Sequence, residues 1–497
     1  MKRLLLYFFI ICLHINVVFA EDTANTKVVS DNKIEQMSVN ESKKTEKRFD
    51  EKISNKKIKK NRDGTTEITL SGLEAVQLAG TLVEEGDYEH AMQILTKMPQ
   101  TRSLPVEIER WYLIAQVEQR RGNIDEAIKI YRKILDDQPD LVKIRYELAL
   151  CYMAKERWYR ADYHLRLAMA GKDIPEPVKR RMMYYRYVAR QNKNWNVWFN
   201  FGVAPDNNVN QATGGEECIG PYLWLVNGAC SKNAEPEKAV GYNLLLGGNY
   251  EFKLSDNWRW KNDANIYTNL YDKHKYDDLY LSGSTGPRYV WENGDVWLAG
   301  VVSRRWYGSH HHWNNWDNYN LAYGAKLDTN YDWTRKLSSG LLLRVTDNKY
   351  DDYGYALDGQ SYTVSPHFSY SLDATKYIVL RGGLDRDTAK IDAYANWRYS
   401  TGIGFGSALP WGFQTYLEPY FTWARYDGER VAVKNKTIQM VRPHDFIQRY
   451  SLSISNNNLE VWGFVPMLTV SYTNKDSNIH NRTYKKTTIE FTFQQRF

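Results

Sequence analysis

From Trp195 onward, apolar and polar residues alternate with a period of two. Tyr242, Leu244, Leu246, Tyr250, Phe252 and Leu254 alternate with Asn243, Gly247, Asn249, Glu251 and Lys253. Tyr319, Leu321, Tyr323, Ala325, Leu327, Tyr331 and Trp333 form a second such set, and Tyr362, Val364, Pro366, Phe368, Tyr370 and Leu372 a third. At the end of the chain Ile489, Phe491 and Phe493 alternate with Glu490, Thr492 and Gln494 before the terminal Phe497. A period of two places successive side chains on opposite faces of a strand. These runs exceed the usual strand length of about 5–6 residues in soluble sheets. They match the roughly 9–11 residues that cross a bilayer when tilted. An apolar face that persists from end to end meets lipid, and its polar counterpart lines a lumen.

The connections alternate too. Tight turns are read at residues 255–257, 292–295, 332–335, 373–375, 409–412 and 455–458. Longer loops are read around 205–238, 271–277, 309–317, 347–358, 387–393, 427–445 and 474–481. These thirteen connections predict about fourteen strands. An even count puts both barrel ends on the side of the short turns, the periplasm, together with whatever precedes the barrel.

Between Ser71 and Trp195 the period is helical and repeats. Gly86-Asp-Tyr-Glu-His-Ala91 recurs as Gly122-Asn-Ile-Asp-Glu-Ala127, and in degenerate form as Glu156-Arg-Trp-Tyr-Arg-Ala161, with the alanines 36 and 34 residues apart. That spacing predicts tetratricopeptide helix–turn–helix units. Trp111, Ala115, Tyr131 and Pro139 fall at motif positions, and Ala79, Ala115 and Ala149 let paired helices approach closely. A fourth, basic helix over about 177–191 is read as the cap of the stack. The first helices of the repeats would line a concave groove carrying Tyr112, Gln116, Tyr146, Leu150 and Met153. Tyrosine and methionine there suit an extended or apolar peptide, the alternative for each being packing between repeats.

Lys2 and Arg3, the apolar run from Leu4 to Phe19 and the sequence Val18-Phe19-Ala20 predict a secretory signal peptide over 1–20. Residues 21–68 are polar and rich in lysine, and predict a disordered tether. The domain plan is therefore 1–20 signal, 21–68 tether, 69–192 repeats and 195–497 barrel. The fold class is multidomain, an N-terminal α-solenoid followed by an all-β transmembrane barrel of about 14 antiparallel strands.

Composition agrees. Aromatic residues make up 14%, with 37 Tyr and 17 Trp, as two interfacial girdles require. The mean hydropathy of −0.61 argues against a helical membrane protein. The net charge of +7 is spread along the chain and makes nucleic acid a poor partner. Cys218 and Cys230 share the first long loop, and an oxidising compartment favours a disulfide between them. Cys151, on an apolar helical stretch, reads as a buried thiol. His310-His311-His312 lacks a neighbouring carboxylate or cysteine cluster and reads as a solvated loop. Ser365 and His367 sit about 7 Å apart along one strand face, too far for a nucleophile and its base. No phosphate loop or dinucleotide fingerprint is read, so the expectation is no enzyme, no metal and no cofactor.

The order of these parts, with Phe199-Asn-Phe-Gly-Val-Ala-Pro-Asp-Asn-Asn-Val-Asn210, Gly286-Pro287 before Trp291, and the ending Tyr484 to Phe497, resembles the surface lipoprotein assembly modulator (Slam) family of Gram-negative outer membranes. The resemblance implies an outer-membrane translocator, the activity called type XI secretion. The implied cargo is a lipoprotein or a related secreted haem- or metal-binding protein. The expected surroundings are outer-membrane lipid, with the barrel-assembly machinery and periplasmic chaperones during biogenesis. An exopolysaccharide exporter is the alternative, although such proteins carry more repeats and a wider barrel.

Overall fold

The computed structural model describes residues 58–60, 66–68, 70–214, 216–218, 230–232, 234–308, 316–351, 354–434 and 437–495. The expected signal peptide, the histidine run and Phe497 lie outside them. Within the expected tether, Ile58–Lys60 pairs antiparallel with Thr66–Ile68. This departs from an unstructured reading for those six residues, and the rest of the expected tether lies outside the described residues.

From Gly72 the chain forms seven helices: α1 (Gly72–Glu85), α2 (Tyr88–Lys97), α3 (Leu104–Arg120), α4 (Ile124–Asp137), α5 (Val142–Ala154), α6 (Trp158–Met169) and α7 (Glu176–Asn192). Each of the first three pairs is joined by a residue with positive φ at the repeat position read from sequence. These are Gly86 (φ 85°), Gly122 (φ 86°) and Glu156 (φ 56°). The third repeat thus keeps the left-handed turn although it lacks the glycine that adopts it without strain. Ala79, Ala91, Ala115, Ala127, Ala149 and Ala161 are fully buried, which is how the paired helices come close. Helix α7 seals the stack by covering a cluster of Ala149, Leu165, Ala168 and Met169 with Met182.

Two residues after α7 the barrel begins. Its strands are β1 (Trp195–Asp206), β2 (Ala239–Lys253), β3 (Trp258–Tyr271), β4 (Asp278–Trp291), β5 (Gly294–Gly308), β6 (Trp316–Asp332), β7 (Leu337–Tyr350), β8 (Gly359–Ser371), β9 (Lys376–Asp387), β10 (Asn396–Ala408), β11 (Phe413–Tyr426), β12 (His444–Asn456), β13 (Phe464–Ser477) and β14 (Tyr484–Gln495). All fourteen are antiparallel neighbours in sequence order, and β14 returns to β1 to close the barrel. The alternation reads as expected: Tyr242, Leu246, Tyr250, Phe252, Tyr362, Val364, Phe368, Tyr370, Ile489 and Phe491 are exposed on the outer wall, while Glu251 on the opposite face is buried.

Tyr319 is a correction. The register of β6 against β5 shifts between Asn318 and Asn320, leaving Tyr319 as the extra residue. A bulge re-aims its side chain. The Tyr319 ring packs 4.7 Å from that of Tyr307 and 5.3 Å from that of Tyr350 instead of joining the lipid-facing set. The last short turn is also longer than read, running through the single 3₁₀ turn Asn457–Leu459 before β13 starts at Phe464.

The closing seam differs from the rest. Among the described residues, β1 and β14 share five register pairs, from Thr488–Asp206 to Gln494–Asn200, whereas every other barrel ladder has at least nine. Pro205, which has no N–H to donate, lies at the interruption. On the lipid side Phe201 stacks on Phe493 at 5.2 Å, and Phe199, Phe464 and Phe491 complete an aromatic cluster.

Candidate functional site

Helices α4, α6 and α7 are mounted on the short-turn end of the barrel, the periplasmic end. Arg132 of α4 pairs with Glu460 in the β12–β13 turn. The Gly412 N–H, in the β10–β11 turn, donates to the Asp136 carbonyl at 2.6 Å. Arg259, beside the β2–β3 turn, donates to the backbone and side-chain carbonyls of Gln191 on α7. Arg190 donates to the Glu292 carbonyl of the β4–β5 turn at 3.3 Å. Arg186 (2.7 Å) and Arg190 both pair with Asp332, where β6 ends. Ala374 and Thr375 of the remaining turn, β8–β9, face the helices across a cavity.

The centre of this junction is Asp162 of α6. Its carboxylate accepts from Arg186 Nε and Lys193 Nζ at 2.8 Å each, with Arg190 Nε at 3.8 Å. Burial would raise the Asp162 carboxyl. Lys193, Arg186 and Arg190 outweigh it and hold the group well below the usual carboxylate range. The ion pairs run from α6 through α7 to the β6–β7 turn, so repeats and barrel are held as one assembly.

Inside the mouth the two halves of the wall differ. Along β2–β6 a charge network lines the inner wall. Glu251 meets Arg288 at 2.7 Å, Arg288 meets Asp295 at 3.1 Å, and Lys261 and Lys326 lie 4.2 and 4.0 Å from the buried Trp297 ring. Tyr159 of α6 reaches into it, its hydroxyl donating to Asn249 Oδ1 at 2.7 Å. Along β9–β13 there is instead a cavity of 390 Å³, bounded by Arg145, Leu148 and Tyr163 of the helices and by Tyr377, Tyr416 and Met467 of the barrel.

The groove residues lie on α3 and α5. Tyr112 is only 4% exposed. Its hydroxyl accepts from Gln116 Nε2 at 2.6 Å, and the Lys143 ammonium sits 3.7 Å over its ring. Tyr146 is half-buried, 6.3 Å from Tyr185 of α7, and packs with Met153 against the α5–α7 cluster. Gln116 and Leu150 are half-buried as well. Tyr112 thus packs between helices, its ring 6.3 Å from that of Tyr131, while Tyr146, Leu150 and Met153 share one face of α5. Cys151 is buried and unpaired, and burial pushes its thiol up to about 12. Cys218 and Cys230 face each other in register in a short two-stranded ladder, but their side chains lie outside the described ones.

The residues that join helices to barrel were not read from sequence. Their partners stand far away along the chain, and the sequence marks the basic helix α7 only as the cap of the stack. The signal that could have found them is that Arg186 and Arg190 share one helix face with the core residues Met182 and Ala189.

Residues 195–497 match the family model described as surface lipoprotein assembly modifier, and residues 108–151 match a tetratricopeptide repeat model. A surface lipoprotein assembly modifier from Pasteurella multocida is 24% identical over 77% of the chain and 75% of its own length. Surface lipoprotein assembly modifier 1 from Neisseria meningitidis serogroup B is 25% identical over 76% of the chain and 74% of its own length. Among solved structures, the outer membrane channel DcaP of Acinetobacter baumannii is 9% identical, covering 61% of the chain and 97% of that channel at a TM-score of 0.34.

Proposed function

Because the chain belongs to the surface lipoprotein assembly modifier family, the Slam family expected from its sequence, we propose that it translocates a lipoprotein, or a related secreted binding protein, from the periplasm through its outer-membrane barrel to the cell surface. Membership of that family makes the protein an outer-membrane assembly factor acting on surface lipoproteins. Translocation is the step beyond it. The observation that carries it is the mounting of the repeats on the barrel mouth, with ion pairs or hydrogen bonds to five of the six short turns. Cargo held in the groove of Tyr146, Leu150 and Met153 is thereby kept at high effective concentration beside the lumen. Folding or binding of the emerged cargo outside disfavours its return and supplies direction. Barrel-assembly machinery and periplasmic chaperones are its partners during biogenesis.

The test is co-expression in a heterologous Gram-negative host with a lipoprotein encoded beside this gene. Surface display is expected with the whole protein, and is expected to fall with Tyr146→Glu plus Leu150→Glu. Equal display by the barrel without repeats refutes the capture step. Polysaccharide export without display favours the exporter alternative.

A further inference from the structure

Strand β10 carries three glycines on its inner face, Gly402, Gly404 and Gly406, while Ile403 and Phe405 point outward and are exposed. Three tyrosines lie against the backbone that these glycines leave bare. A Cβ on Gly406 would come within 2.2 Å of Tyr377, one on Gly404 within 2.1 Å of the Tyr416 hydroxyl, and one on Gly402 within 2.4 Å of Tyr420. A side chain at any of these three positions would displace the ring that it meets.

The tyrosines stand along the wall in two steps, with the Arg381–Glu418 ion pair between Tyr416 and Tyr420. Tyr377 and Tyr416 are stacked, 6.2 Å apart with 24° between their planes. Tyr420 stands four residues further along β11, about 13 Å toward the outside. Their polar edges are fixed: Arg381 Nη1 donates to the Tyr416 hydroxyl at 2.7 Å, and the Tyr420 hydroxyl donates to Ser400 Oγ at 2.8 Å. The lower step opens on the 390 Å³ cavity, where Tyr163 of α6 joins Tyr377 and Tyr416. The facing wall is occupied by the Glu251–Arg288–Asp295 network.

Flat rings with fixed hydroxyls offer repeated contacts that tolerate many side chains, and passage requires sites that bind without trapping. A folded domain of a hundred residues has a radius of gyration of about 13 Å, so a cavity of 390 Å³ admits only an extended segment. We propose that Tyr377, Tyr416 and Tyr420 form a binding track for extended polypeptide, entered through the cavity beneath α4–α6. On this track aromatic or apolar side chains of the passing chain lie on the rings. The proposal rests on the translocation reading and specifies its route and the unfolded state of the cargo.

The experiment uses the full chain in detergent, with Tyr377, Tyr416 or Tyr420→p-benzoylphenylalanine on the track and Lys261 or Trp297→p-benzoylphenylalanine on the facing wall. The probe is an unstructured Gly/Ser/Asn peptide of about forty residues with phenylalanine at every fifth position. Its control has serine in place of each phenylalanine. Crosslinks are expected from the three track positions and not from the facing wall, and the control peptide is expected to crosslink at least about fivefold less. Gly404→Ala, which displaces Tyr416, is expected to reduce peptide capture about tenfold, whereas Tyr416→Phe retains it. Heat-modifiable migration on a gel verifies that each variant is a closed barrel.

Equal crosslinking from the facing wall, or unchanged capture by a folded Gly404→Ala barrel, overturns the proposal and leaves translocation standing if cargo display persists. Competition by a dextran oligosaccharide also overturns it, assigning the track to saccharide. If the peptide crosslinks as expected while no lipoprotein is displayed by the unaltered protein, the translocation reading falls and the track remains.

Discussion

Asp162→Asn tests whether the repeats are held on the barrel by the ion network. The native carboxylate faces Arg186, Arg190 and Lys193, all with side chains 10–14% exposed. Removing one partner of a buried charge network costs about 3–5 kcal/mol. Arg186 and Arg190 keep Asp332, whereas Lys193 keeps the Tyr159 ring, 4.7 Å from its ammonium, and the charge of nearby Asp295. The loss therefore falls at the lower end, about 3 kcal/mol. At 1.36 kcal/mol per decade, local opening of the junction becomes roughly a hundredfold more populated. Lys193 lies between α7 and β1, so trypsin reports this opening directly. Where reclosing outpaces cleavage, the rate tracks the open population. The expected result is a rise in cleavage at Lys193 of about a hundredfold, with the barrel fragment intact. A rise below about threefold refutes the reasoning. Asp332→Asn alone is expected to act in the same direction, and the double variant to fall short of the sum because both sites share Arg186.

Further outcomes follow from the geometry. The carboxyl of Asp162 is depressed in the folded protein, so its stabilising contribution is complete above the unfolded value near 3.9 and disappears only as pH falls through the lower folded value. Cleavage between α7 and β1 by an acid-active protease, run at each test pH, is therefore expected to stay at background at pH 5 and to rise only well below pH 4. The opposed positions of Cys218 and Cys230 predict a disulfide: intact mass after alkylation without reductant is expected to show both blocked, and two alkylated thiols there would refute it. Met440→Cys, 58% exposed on the hairpin formed by Arg430–Lys434 and Thr437–Val441, is expected to react with an impermeant thiol reagent on intact cells. Asn293→Cys, in a short turn, is expected to stay unlabelled, and the reverse pattern would invert the topology.

The barrel was legible because its physics is local. Alternation sets the face of each residue, and turn length sets the end of the barrel on which each connection lies. The repeats were legible for a similar reason, since the left-handed turn at Gly86 and Gly122 recurs at a fixed spacing and even identifies Glu156 as its third occurrence. Tyr319 was misplaced because a bulge inserts one residue without changing composition, and parity counting cannot register it. The junction escaped for a different reason. Arg132 meets Glu460 across 328 residues and Arg190 meets Asp332 across 142, and no periodicity connects such partners. The glycine strip of β10 was plain in the sequence as Gly402, Gly404 and Gly406, yet only the register places Tyr377, Tyr416 and Tyr420 upon it.

The seam between β1 and β14 has a consequence for how the molecule comes into being. Hairpins along the sheet close across two residues (β4–β5) to thirty-two (β1–β2), whereas this last pairing brings together positions near 200 and 490. For a chain still flexible between them, that closure costs about 4 kcal/mol more in entropy than a four-residue hairpin, and it is rewarded by the shortest ladder in the barrel. Closure is thus the late event of folding, and the five phenylalanines supply on the lipid side the adhesion that backbone pairing lacks. The same imbalance makes the seam the place of first yielding. Amides of β1 that face β14 are expected to exchange with solvent deuterium ahead of those between β10 and β11, whose ladder is longer.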